Sequence, residues 1–225
     1  MNGILYGIGV GPGDPDLMTV KAIKASLSCD IIAVPHKQLE KCFALKIAIG
    51  AVPELEDKPL FAVDMPMTKD PEVLEKAYAA GAALLEAQLD AGKNVAFLTI
   101  GDPTVYSTYM YLHERIVADG YAAKIIPGVT SFCAAAAALG TALCKSSEEL
   151  HIIPGTYRPP EALDYPGVKV LMKNNLSETT AALKARSQAA VMVENCSLPT
   201  QKIYKSVEEF PAQAGYFTLL IVKDE

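Results

Sequence analysis

Three short stretches of this chain carry residue types that could do chemistry. They are Gly7-Ile8-Gly9-Val10-Gly11-Pro12-Gly13-Asp14-Pro15, Gly101-Asp102-Pro103-Thr104-Val105-Tyr106 and Pro127-Gly128-Val129-Thr130-Ser131. Each follows an apolar run that reads as a buried strand, so each is a strand-end turn just ahead of a helix. Glycine permits positive φ and close backbone approach, which lets such a turn lay its main chain against a ligand. The acidic residues narrow the choice of ligand. Asp14, Asp16 and Asp102 would repel a phosphate, whereas a carboxylate at a strand end accepts hydrogen bonds from an amine or a ribose hydroxyl. A cationic cofactor suits that setting, and S-adenosylmethionine, with a sulfonium and an ammonium group, has that character. The competing reading is a set of tight turns with no ligand.

The familiar phosphate motifs are excluded by spacing. A dinucleotide fingerprint needs G-x-G-x-x-G running directly into a helix, and Gly7-Ile8-Gly9-Val10-Gly11-Pro12 breaks that pattern. No Gly-Lys-Ser/Thr follows either, so there is no P-loop. Thr130 and Ser131 supply hydroxyls at the start of a helix, where such residues serve as N-caps, as ligand contacts, or as both. His36, His113 and His151 fall on three separate elements and form no local triad with Ser, Cys or Asp. Of these, His36 in Pro35-His36-Lys37 stands at a strand end.

The elements that must position these residues alternate through the first half. Strands are expected over 4–9, 30–34, 60–63, 95–100 and 123–126. Helices are expected from near Thr19, with Val20, Ile23 and Leu27 on one face, over 42–49, over 71–91 behind the cap Asp70, and over 106–118. Strands separated by helices read as a parallel sheet covered on both faces, with ligands at the strand carboxyl ends. The second half has a different grain. A small-residue helix over 134–139 precedes strands over 150–153, 168–172, 190–194 and 216–222, with a helix over 177–187 and turns at 155–160 and 165–167. The expected division is residues 1–127 and 128–225.

The chain of 225 residues is 51% hydrophobic and carries a formal net charge of −6. That is enough apolar material for a sizeable core, and it offers no basic stripe for nucleic acid or a membrane surface. The five cysteines are odd in number and form no Cys-x-x-Cys pair, which argues against a disulfide framework or a zinc site and for a reducing, cytoplasmic setting. The first apolar run has no basic lead and meets Gly9 and Pro12 too early for a signal peptide. The longest apolar stretch, 132–144, is too short to span a bilayer.

Taken in order, the motifs ending in Asp14-Pro15, in Ser107-Thr108 and in Thr130-Ser131 resemble those of the tetrapyrrole (corrin/porphyrin) methylases, along essentially the whole chain. The segments 30–37 and 101–108 and the ending Tyr216-Phe217-Thr218-Leu219-Leu220-Ile221-Val222 are most similar to the branch acting on the meso carbon at position 20 of precorrin-2 or cobalt-factor II, and to its cobalt-using members. His36 is a departure, because the family pattern runs from proline to lysine directly. The resemblance implies a two-domain α/β fold, with an N-terminal five-stranded parallel sheet, a C-terminal mixed sheet with helices, and the cofactor in the cleft between them. It also implies a homodimer. By motif, S-adenosylmethionine would contact Pro12, Ile100, Gly101, Asp102, Val105, Thr130, Ser131 and Met172. The many carboxylates of a tetrapyrrole substrate call for basic residues, with His36, Lys37, Lys41, Lys145 and Arg158 as candidates and Tyr106 beside them. No catalytic side chain is singled out and no protein-bound metal is expected. The nearest alternatives are another ring carbon of a corrin precursor, uroporphyrinogen III, and a non-catalytic nucleotide-binding module.

Overall fold

The structure, a computed structural model, describes residues 2–154, 159–172 and 175–223 and divides into two compact units, Met1–Thr130 and Ser131–Glu225. In the first unit five strands, β1 (Ile4–Gly9), β2 (Ile31–Val34), β3 (Leu60–Ala62), β4 (Val95–Thr99) and β5 (Ala122–Ile126), form one sheet in the order β3-β2-β4-β1-β5. Every pairing in it is parallel, as in the register Leu5 to Val95 and Ile4 to Ala122. All five carboxyl ends therefore lie along one edge.

Four helices cover the sheet, α1 (Val20–Ser28), α2 (Phe43–Ala51), α3 (Pro71–Asp90) and α4 (Tyr109–Ala118). Burial on both faces explains why the inner strands β2 and β4 are continuous apolar runs, while the edge strand β5, with Lys124 in it, alternates. Along β4, Ala96 and Leu98 pack with Ala22 of α1 and Leu45 and Ala48 of α2. The intervening Val95 and Phe97 pack on the other face with Leu85 and Leu89 of α3 and Leu112 and Ile116 of α4. The helices begin where their caps dictate. Thr19 Oγ1 accepts from the Ala22 amide, and Asp70 Oδ1 accepts from Glu72 and Val73 ahead of the first-turn Pro71.

One detail corrects the sequence reading. Val20 and Leu27 do not face the core but are 66% and 41% exposed, while Ala22 and Ser26 are buried. Ile23 does pack against the core, partly buried, and Ala22 and Ser26 complete that face in place of Val20 and Leu27.

The second unit holds α5 (Ser131–Ala138), β6 (Leu150–Pro154), α6 (Pro159–Ala162), β7 (Val168–Met172), α7 (Leu176–Arg186), β8 (Ala190–Glu194), β9 (Lys202–Tyr204) and β10 (Thr218–Val222). Its sheet runs β6-β7-β10-β8-β9, with β6 and β7 parallel and the remaining pairs antiparallel. Leu176 and Leu183 of α7 pack on Leu171, Met192 and Leu220. The edge strand β9 has no counterpart in the sequence reading.

Candidate active site

The strand order creates a crevice. After β1 the chain passes to α1 on one face, and after β4 it passes to α4 on the other, although β1 and β4 are neighbours. Loops that leave adjacent strands in opposite directions open a gap at the carboxyl edge, the usual ligand position in such sheets.

The three motif loops come closest to one another through main chain. Gly101 N donates to Gly11 O at 2.8 Å and Gly11 N donates to Gly101 O at 3.3 Å, bridging the loops after β1 and β4. A Cβ on Gly9 would come within 2.5 Å of Gly101 O and 2.7 Å of Gly128 N, and one on Gly128 within 2.1 Å of Gly101 O. No side chain fits between the three loops at these positions. Thr19 ties the arrangement further, its hydroxyl donating to Pro127 O at 3.4 Å. Gly101 itself has φ +69, and a Cβ there would meet nothing nearer than Val129 O at 3.9 Å. A side chain there would fit by distance, and the positive φ rather than crowding favours glycine.

Asp102 is 8% exposed, and both carboxylate oxygens are occupied within this unit. Oδ1 accepts from Thr104 N at 2.8 Å and from Thr104 Oγ1 at 2.5 Å, while Oδ2 accepts from Gly128 N at 3.0 Å. Asp14 is engaged more locally, its Oδ1 capping the turn Pro15–Leu17 through Asp16 N. Thr130 Oγ1, by contrast, is buried with no hydrogen-bond partner among the described residues. A buried hydroxyl without a partner costs about 1–3 kcal/mol, which a polar ligand group would offset.

Pro12, Gly101 and Asp102 are buried, and Ile100, Val105 and Thr130 are half-buried, all on this edge. Tyr106 is 44% exposed and holds φ at 49, in the left-handed region that a tyrosine rarely adopts. Burial of part of its ring pushes the hydroxyl pKa up. Behind the loop Thr99 and Ser107 share a hydroxyl contact at 2.9 Å, and Ser107 Oγ accepts from Tyr109 N at 3.2 Å.

His36 and Lys37 follow β2 on the same edge, both exposed. His36 Nδ1 accepts from Gln38 N at 3.0 Å, and Lys37 Nζ lies 2.8 Å from Asp64. Lys41 is exposed as well. In the second unit, Ser131 opens α5 and Met172 closes β7, pairing in register with Pro154 and Leu219. Lys145 is exposed there. Arg158 lies outside the described residues. Among the described residues no cluster of His, Cys, Asp and Glu could hold a metal ion, and no helix is long and apolar enough to cross a membrane.

The sequence reading did not assign Thr104 and Gly128 as partners of Asp102. The Asp-Pro-Thr spacing carries a signal for the first, since an Asp side chain bonds the amide two residues on. Nothing local signals the second.

A mixed-sheet unit following a parallel one, with glycine-built loops at the parallel edge, defines a recognisable class. Residues 4–211 match the family model of the Tetrapyrrole (Corrin/Porphyrin) Methylases, and the chain belongs to that family. It is 34% identical over 233 residues to a precorrin-2 C(20)-methyltransferase of Sinorhizobium sp, covering 98% of this chain and 95% of that one. It is 32% identical over 235 residues to the cobalt-precorrin-2 C(20)-methyltransferase of Salmonella typhimurium, covering 100% and 98%. Its fold is shared with the uroporphyrin-III C-methyltransferase of Thermus thermophilus complexed with S-adenyl homocysteine, at a TM-score of 0.71 and 18% identity, over 99% of this chain and 98% of that one.

Proposed function

We propose that this chain transfers a methyl group from S-adenosylmethionine to the meso carbon at position 20 of cobalt-factor II or precorrin-2, in cobalamin biosynthesis. The observation that carries the reading is likeness along nearly the whole chain to relatives named for that one position, with and without cobalt.

The residues present fit the cofactor. The glycine-built loop at Gly101, where an added Cβ would find no clash, and the unpartnered Thr130 hydroxyl offer main chain and a polar group to a ligand with its own donors. Pro12, Ile100, Gly101, Val105, Thr130, Ser131 and Met172 are the proposed contacts. Bound there, the cofactor supplies a methyl group already activated by a sulfonium. A meso carbon between electron-rich pyrroles is itself nucleophilic, so the chain supplies alignment and dry surroundings rather than a nucleophile. Fixing two reactants in line is worth roughly 7–11 kcal/mol of barrier. The transfer exchanges the carbon–sulfur bond for a carbon–carbon bond, with S-adenosylhomocysteine as the leaving group and the meso proton passing to a substrate carboxylate or to solvent.

The exposed Tyr106 ring gives a flat macrocycle an apolar surface, and His36, Lys37 and Arg158 are the proposed partners of its carboxylates. The chain is read as a cytoplasmic homodimer. Anaerobic incubation with S-adenosylmethionine and either acceptor tests the proposal by product mass. One added methyl on one of the two supports it. No product from either, with turnover of uroporphyrinogen III instead, contradicts it.

A further inference from the structure

We infer that Asp102 serves this site as a positioning residue, acting through the Gly128 amide and Thr104. The inference rests on the cofactor reading above and specifies how that site is held in shape.

The carboxylate is 8% exposed; two of its hydrogen bonds come from Thr104 on its own loop, and one, from the Gly128 amide, crosses to the loop after β5. Main chain meets main chain at Gly9, Gly101 and Gly128, where even a methyl group would collide with backbone. Apolar side chains therefore cannot fix the spacing between the loops after β4 and β5, and hydrogen bonds have to do so. The Gly11–Gly101 pair fixes the loop after β1 to the loop after β4. Asp102 Oδ2 does the same for the loop after β5, two residues before the unpartnered Thr130 hydroxyl. Thr104 holds the other oxygen from two sides and so sets the carboxylate's rotation. Amide-to-carboxylate bonds at low exposure are among the stronger hydrogen bonds.

The consequence is a chain of dependence from Thr104 to Asp102 to Gly128 and its neighbour Thr130. The test measures dissociation constants for S-adenosylhomocysteine by calorimetry on the wild type, Thr104→Val, Thr104→Ser, Asp102→Asn and the Thr104→Val/Asp102→Asn double variant, with thermal melts on each. Asp102→Asn is expected to weaken binding on the order of tenfold, since an amide group cannot accept from both Thr104 and Gly128. Thr104→Val is expected to weaken it about threefold, and Thr104→Ser to restore it. In the double variant the valine adds nothing, because both changes cut the same link. Three results overturn the inference: Thr104→Val binding as the wild type does, equal weakening by valine in both backgrounds, or lower melting points with affinity unchanged throughout. Failure of the wild type to bind would instead remove the cofactor reading itself.

Discussion

At the scale of single residues, this site is built by what is left out as much as by what is present. Gly128 is the sharpest case. A Cβ there would stand 2.1 Å from a backbone oxygen that the Gly11 amide also holds, so no rotamer change relieves the clash. Gly128→Ala should lower stability by about 1–3 kcal/mol and abolish cofactor binding at temperatures where the variant is still folded, read by denaturant titration and calorimetry. Gly7 plays a different part, since a Cβ on it would meet the Tyr109 ring at 2.0 Å. That ring is fully buried, and its hydroxyl sits 3.0 Å from His113 Nδ1. Burial pushes the His113 pKa down, against an opposing pull from Glu114. A histidine with a lowered folded pKa binds fewer protons folded than unfolded, so its contribution to stability falls as pH drops below about 6.5 toward the folded value. Melting points of His113→Gln, followed from pH 8 to pH 5, should therefore decline less steeply than those of the wild type. A parallel decline would remove His113 from the account.

At the scale of elements, the inner strands of the first sheet are buried on both faces, and that is why they were legible. The runs ending at Gly9 and Thr99 are apolar and followed by glycine or proline, and each element of this sheet falls within a few residues of its expected place. The face of α1 was legible only in part: of Val20, Ile23 and Leu27, Ile23 packs on the core, while Val20 and Leu27 are exposed and the smaller Ala22 and Ser26 are buried. Three-residue β9 was missed for a related reason, since Lys202-Ile203-Tyr204 at a sheet edge shows no sustained alternation. The cysteines test this layering. Cys29 and Cys42, at the ends of α1 and α2, and Cys196 are buried, while Cys133 and Cys144 are exposed. Burial pushes the Cys29 thiol up to about 12 and raises Cys42 and Cys196 as well. Alkylation of the native protein near neutral pH should label Cys133 and Cys144 quickly and the other three slowly, with all five reacting in denaturant. Fast labelling of Cys29 would contradict the packing of α1.

At the scale of the whole chain, what the sequence could not disclose is neighbourhood. It named three loops but not that β1 lies between β4 and β5, which alone brings Gly9, Gly101 and Gly128 into contact. Crossover rules leave the strand order open, so the Asp102 bond to Gly128 had no trace in either motif taken alone. The acidic residue chosen for its charge is hydrogen-bonded at both oxygens, and on this edge the Thr130 hydroxyl is buried without a partner among the described residues. The proposed function joins these observations to a reaction at one carbon of a macrocycle, and the position of the transferred methyl is the most direct test of that proposal. Turnover under anaerobic conditions with S-adenosylmethionine carrying an isotopically labelled methyl group, followed by nuclear magnetic resonance of the product, locates it. The account predicts a single labelled methyl on the meso carbon at position 20; a label on a pyrrole-ring carbon would contradict it.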